Sequence, residues 1–140
     1  MTAMRSARTD EIARTDALLR LAMRADAVLT GLAGLAALPI AGWVADLSGT
    51  TTTIEYSLAA FFIGYGIVVF GLAALPSLRR AGPAVIAANI LYSIAAVAVV
   101  VSDVWTMTAA GVAVTLATGV YTAVFAVLQY IGWRRLTSRG

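Results

Sequence analysis

The sequence predicts an all-α protein, a bundle of four transmembrane helices arranged as two in–out–in hairpins with both termini in the cytoplasm. Two observations predict it. Apolar residues make up 61% of the 140-residue chain, too many for a soluble globule whose surface must be polar. All ten positive charges, every one an arginine, also fall on one side of four long apolar segments. Arg5, Arg8, Arg14, Arg20 and Arg24 precede the first segment, Arg79 and Arg80 lie between the second and third, and Arg134, Arg135 and Arg139 follow the fourth. The two other connections carry only acids, Asp46 and Glu55 in one and Asp103 in the other. Short loops rich in Lys and Arg stay cytoplasmic during insertion, which sets the N-in, C-in orientation in an inner membrane.

Residues 1–24 read as a basic cytoplasmic tail that becomes helical before the membrane. Asp10–Arg14 and Asp16–Arg20 are acid-first i,i+4 pairs, the favourable order on a helix. Ile12, Leu19 and Met23 add a thin apolar stripe, which suits either an interfacial helix or a solvated extension of the first crossing. The tail is too charged, and the apolar stretch after it too long, for a cleavable signal peptide. The transmembrane domain occupies 25–135, with spans at about 27–45, 56–75, 84–101 and 107–131, and a second cytoplasmic tail follows at 136–140.

Each span has its own punctuation. Pro39 lies inside the first and is expected to kink it near Leu35, because its ring clashes with that carbonyl. A polar outer loop runs from Ser48 to Thr53. Pro76 ends the second span ahead of Arg79 and Arg80, and Gly82-Pro83 is expected to form the tight inner turn. Trp105 anchors the outer turn after the third span, and Trp133 anchors the inner end of the fourth; Trp43, Tyr56 and Tyr130 fit the same interfacial role.

Lipid tails are as apolar as leucine, so small residues and interhelical hydrogen bonds must hold the helices together. The expected seams are Ala27, Gly31, Gly34 and Gly42 in the first span and Ser57, Ala60, Gly64, Gly71 and Ala74 in the second. The third offers Asn89, Ser93 and Ala96, and the fourth Gly111, Thr115, Thr118, Thr122 and Gln129. Phe61, Phe62, Phe70 and Phe125 are left to face lipid or fill gaps.

Several chemistries are excluded outright. Without cysteine there are no disulfides, thiol nucleophiles or thiolate metal sites. Without histidine the commonest general base and metal ligand is missing, and no serine or threonine has a triad partner. No enzyme, cofactor or metal site is expected. The arginines are not interleaved with aromatics, so no nucleic-acid partner is expected either.

The candidate functional residues are polar groups in or beside the spans. Asn89 and Gln129 are the most polar side chains within them, suited to gluing helices or contacting a solute. Asp26 reads as the inner edge of the first span, level with Arg79, Arg80, Arg134 and Arg135, and is expected to pair with one of those guanidiniums or to gate proton access. Tyr65, Tyr92 and Tyr121 suit either ring packing or the lining of a polar cavity. Asp46, Glu55 and Asp103 are solvated outer acids or a cation-attracting patch. Arg20, Arg24, Arg79, Arg80, Arg134 and Arg135 are placed to contact anionic lipid headgroups.

Two functional readings follow. One is a non-catalytic accessory, scaffold or lipid-associated subunit, working in a homo-oligomer or larger membrane complex. The other is a small dimeric transporter or channel for a small solute or ion. Small multidrug transporters have four helices but carry a glutamate inside the first span, a depth at which this sequence shows no carboxylate. A cavity reaching Asn89, Gln129 and the tyrosines would favour transport, and a sealed bundle the accessory role.

The run from Leu19-Arg20 to Asp26, the small residues from Gly31 and Ala45-Asp46 resemble a family of uncharacterised four-helix integral membrane proteins of actinobacteria. Gly64-Tyr65, Ala88-Asn89, and Leu128-Gln129 leading to Gly132 and Arg134-Arg135 carry the rest of the likeness, over about residues 18–135. The resemblance implies a four-helix membrane fold and brings no activity with it.

Overall fold

A computed structural model of the chain describes residues 2–138, with the side chains of residues 9–14 left outside the description. The Asp10–Arg14 pair, the Ile12 side chain and Arg139 therefore lie outside the described residues. Helix α1 spans Thr2–Ala37 and gives way to a 3₁₀ turn at Leu38–Ile40, followed by α2 (Ala41–Ser48), α3 (Thr52–Leu72), α4 (Ala81–Ser102) and α5 (Ala109–Ser138). Four helical stretches are long and apolar enough to cross a bilayer: Thr15–Ser48, Thr52–Leu72, Ala81–Ser102 and Ala109–Ser138. The chain is a multi-pass, all-α membrane protein.

Local chemistry sets the boundaries. Gly49 ends α2 at φ 73°, a left-handed conformation that a side chain would strain, and its N–H closes onto the Ala45 carbonyl. Thr51 then caps α3 by accepting from the Ile54 N–H at 3.2 Å. Two prolines behave differently from expectation. Helix α1 runs unbroken past Leu35 to Ala37, and the disturbance is the 3₁₀ turn at Pro39 itself. There the ring occupies the start of a tighter helix, where its missing N–H is not required. Gly82-Pro83 likewise lies within the first turn of α4, where a proline leaves no additional donor unmet, and is not a separate turn.

Helix α1 is the central element. It packs along α3 and α5, α4 packs along α5, and the short α2 wedges between α3 and α5. Among the described residues, α3 and α4 make no extended close approach to each other, which leaves a cleft between them. The arginine-bearing end is filled by a core that includes Leu19, Met23, Val69, Leu78 and Val85. At the opposite, acid-bearing end the chain is tied by Thr108, whose N–H donates to the Ser48 carbonyl at 3.0 Å and whose hydroxyl donates to the Leu47 carbonyl at 2.6 Å. The arginine-bearing end thus carries a packed apolar core.

Small residues do set the helix contacts, with one shift of register. A Cβ on Gly66 would fall 2.6 Å from the Ala27 carbonyl oxygen and 2.9 Å from Gly31 Cα, so α1 and α3 touch backbone to backbone there. The buried face of α3 runs through Ala59, Gly66 and Val69 and continues to Ala73 just past its end. Gly64 and Gly71, expected on that seam, have open space beside them, as does Gly42 in α2. Helix α3 is apolar all round, so its sequence carries no stripe that distinguishes the protein-facing side from the lipid-facing one.

Arg20 joins α1 to the end of α3. Its guanidinium donates to the Ala73 and Leu75 carbonyls and pairs with Asp16 at 2.7 Å. A cation at these carbonyls meets the negative end of the α3 dipole and satisfies acceptors that the helix leaves open. Arg20→Ala is expected to lower stability by about 1–2 kcal/mol in a chemical-denaturation titration of the detergent-solubilised protein.

Candidate functional site

The site is built around Asp26, and its partners differ from those the sequence suggested. Leu19 packs against Gly82 and Gly132 at the arginine end, and Asp26 lies seven residues, roughly 10 Å, further along α1. Its hydrogen-bond partners on the other helices, Tyr65, Asn89 and Gln129, all lie within their membrane-spanning stretches. The carboxylate therefore sits among all four long helices, away from the arginine-bearing end of the bundle. The change has a simple cause: the level at which α1 enters the bundle is set by where Leu19 and Arg20 dock, not by where the charges stop.

No guanidinium pairs with Asp26 among the described residues, so the expected ion pair is replaced by a set of neutral donors. Its Oδ2 accepts from the Tyr65 hydroxyl at 2.7 Å, Asn89 Nδ2 at 2.9 Å and Gln129 Nε2 at 3.0 Å. Its Oδ1 accepts from Thr30 Oγ1 at 3.1 Å and from the Tyr121 hydroxyl at 3.4 Å. Tyr121 also reaches the Asp26 backbone carbonyl at 3.3 Å and lies 3.1 Å from the Thr30 hydroxyl. Five donor groups thus converge on its two oxygens. The group is fully buried, and a carboxylate enclosed by apolar helices is costly enough to be a functional candidate by default.

The amides are oriented by the same logic. Asn89 Nδ2 bridges Asp26 and Gln129 Oε1, the latter at 2.9 Å, so both of its hydrogens are committed. Turning either amide round would set an oxygen against the carboxylate. Every transmembrane helix contributes: Asp26 and Thr30 one turn apart on α1, Tyr65 from α3, Asn89 from α4, Tyr121 and Gln129 from α5. One turn further along α4, the Ser93 hydroxyl lies 2.7 Å from that of Thr122 and donates to the Gly119 carbonyl at 2.9 Å, which pins α4 to α5.

On the acid-end side of this cluster lies a cavity of about 340 Å³ in the cleft between α3 and α4. Thr30, Tyr65, Asn89 and Tyr121 form its polar edge, and Phe61, Phe62 and Tyr92 its aromatic wall. Phe61 and Tyr92 stack across the cleft with centroids 6.4 Å apart and planes 10° from parallel. A second cavity of about 270 Å³ shares Phe62, Tyr92, Val114 and Thr118 with the first and extends to Thr50, Glu55 and Trp105 at the acid end. Glu55 accepts a hydrogen bond from Thr50 there. The volume of the deeper cavity falls at the lower end of the ~300–1,000 Å³ typical of small-molecule sites.

The candidates named from sequence divide clearly. Asp26, Asn89, Gln129, Tyr65 and Tyr121 come together in one cluster, with Gln129 behind the cavity rather than on its wall. Thr30 was not singled out, although its position four residues after Asp26 on one helix face was the available signal. Arg20 is engaged with α3 carbonyls and Asp16, whereas Arg24, Arg79, Arg80, Arg134 and Arg135 are exposed around the arginine end. Arg134 leans on Tyr130, 5.9 Å above its ring centroid. No protein-family model matches the chain, and comparison with curated proteins and with solved structures returns no match.

Proposed function

We propose that this membrane protein binds a small, largely apolar solute in the α3–α4 cleft and works as a small transporter or channel. The observation that carries the reading is the cavity: it reaches Asn89, Tyr65 and Tyr121, and it shares lining residues with a second cavity at the acid end. What favours solute binding over helix gluing alone is that Thr30, Tyr65, Asn89 and Tyr121 border the cavity as well as the carboxylate. Catalysis is no part of the proposal, since the chain lacks histidine and cysteine and the Asp26 oxygens are already engaged. A single four-helix bundle offers a short route, so the working unit is a homodimer or a larger assembly.

The proposed setting is a bacterial inner membrane with both termini cytoplasmic, as the arginine asymmetry favours. The exposed Arg24, Arg79, Arg80, Arg134 and Arg135 would then meet anionic headgroups of the inner leaflet. The cavity would open outward while the Leu19–Met23–Leu78 core closes the inner side. The likeness to actinobacterial four-helix proteins belongs to the same proposal.

The absence of native cysteine makes the test clean, because any introduced thiol is the sole one. Ala33 lines both cavities and Ala95 the outer one, whereas Ile67 lies on neither and is exposed on the bundle surface. Ala33→Cys and Ala95→Cys are expected to react with a membrane-impermeant maleimide added from the acid-end side and not from the other, since only a hydrated thiol ionises to the reactive thiolate. Ile67→Cys is expected to stay unreactive from both sides. Protection of Ala33→Cys from both sides would count against a solute pathway.

A further inference from the structure

We propose that the α3–α4 cavity is a site for an organic cation, an ammonium group carried on an aromatic or alkyl body. The inference rests on the reading that the cavity binds a solute, and it names the solute's chemistry.

Three observations point to positive charge. Asp26 carries the only carboxylate in the cluster, and no cationic side chain among the described residues neutralises it. The hydroxyl hydrogens of Tyr65 and Thr30 are directed at Asp26, and that of Tyr121 at Asp26 or at Thr30 beside it. With their hydrogens spent inward, these hydroxyls can offer a ligand only oxygen lone pairs. Asn89 has both Nδ2 hydrogens committed in the same way, leaving its Oδ1 as the remaining hydrogen-bonding atom. The polar edge of the cavity is thus made of acceptors, backed by the Asp26 carboxylate one layer behind.

The walls agree with this. Phe61, Phe62, Tyr65, Tyr92 and Tyr121 all line the cavity, and the electron-rich faces of such rings attract cations most strongly where water is excluded. Glu55, at the outer cavity, places a second acid on the way in. An anion would meet acceptors and a carboxylate, and a small metal ion would leave its hydration shell for walls of hydrocarbon. A cation whose charge is buried in an apolar body fits both halves of the site: the body lies between Phe62, Tyr92 and Val114, and the charge faces Thr30, Tyr65 and Tyr121.

The probes are benzyltrimethylammonium and its neutral isostere neopentylbenzene, which differ by a carbon in place of the charged nitrogen. Saturable binding of each is measured to the full chain in nanodiscs, against empty nanodiscs of the same lipid. Wild type is expected to bind the cation at least about tenfold more tightly than the isostere. Asp26→Asn is expected to weaken the cation by about thirtyfold and to leave the isostere within about twofold, the pattern of a lost buried charge partner. Should Asp26→Asn fail to fold, Tyr65→Phe takes its place; it removes one acceptor and is expected to weaken the cation by about threefold with the isostere unchanged. Equal binding of the two probes by wild type would overturn the cation inference while leaving the cavity as a solute site. Saturable binding of neither probe would overturn the cation inference and count against the solute-binding reading as well.

Discussion

Asp26→Ala is expected to destabilise the protein by on the order of 3 kcal/mol, more than any other single polar truncation in the bundle. The reason lies in what the substitution leaves behind. Tyr65, Tyr121 and Thr30 border the cavity and can turn their hydrogens to water or to one another. Gln129 cannot, being fully buried, and Asn89 is nearly so. Their amide hydrogens would be left without an acceptor in a low-dielectric interior, where an unpaired donor costs its full desolvation. Asp26→Asn keeps one oxygen but turns a donor toward a group of donors, and about 1–2 kcal/mol of loss is expected. The measurement is unfolding of the purified protein in mixed micelles by increasing SDS. Wild-type stability for Asp26→Ala would mean that the cluster does not hold the four helices together.

Gly66→Val is expected to cost about 2–4 kcal/mol and to disturb the site as well as the packing. The new Cβ would lie 2.6 Å from the Ala27 carbonyl oxygen and 2.9 Å from Gly31 Cα, both backbone atoms that move only if α1 does. Gly66 follows Tyr65, and Ala27 follows Asp26, so separating α1 from α3 lengthens the 2.7 Å Tyr65–Asp26 hydrogen bond directly. Gly64→Ala and Gly71→Ala are the controls. A Cβ at either position would meet no neighbouring helix within 4 Å, and a change of no more than about 0.5 kcal/mol is expected. The same denaturation titration reads all three, and equal losses at Gly64 and Gly66 would contradict the observed face of α3.

The parts of the fold that could be read from sequence are those on which the bilayer imposes a pattern. Charge asymmetry and apolar length located four spans because insertion and hydrocarbon thickness act on those quantities directly. The seam of α1 at Ala27, Gly31 and Gly34 and that of α4 at Asn89, Ser93 and Ala96 were readable because polar or small residues recur there at helical spacing. Helix α3 offered three glycines, Gly64, Gly66 and Gly71, within an otherwise apolar helix, and spacing alone favoured the wrong two. In a membrane the outward face is as apolar as the inward one, so hydrophobic periodicity cannot choose between them.

The site shows a different limit. Asp26, Tyr65, Asn89, Tyr121 and Gln129 each stood out as polar groups in or beside apolar spans, but their convergence joins residues on four helices. Asp26 and Gln129 are separated by 103 positions in sequence. The level of Asp26 within the bundle was not legible because α1 is one unbroken helix, and its charged N-terminal part hides where the bundle begins. The docking of Leu19 against Gly82 and Gly132 settles that level, and it is a tertiary contact with no local signature.

Native mass spectrometry of the protein extracted gently from its own membrane tests the central claim most directly. A homo-oligomer that carries a small amphipathic molecule released on activation is expected, with that adduct lost from the Asp26→Asn variant. A stoichiometric second protein, with no small molecule retained by wild type, would contradict it and return the bundle to the role of an accessory subunit.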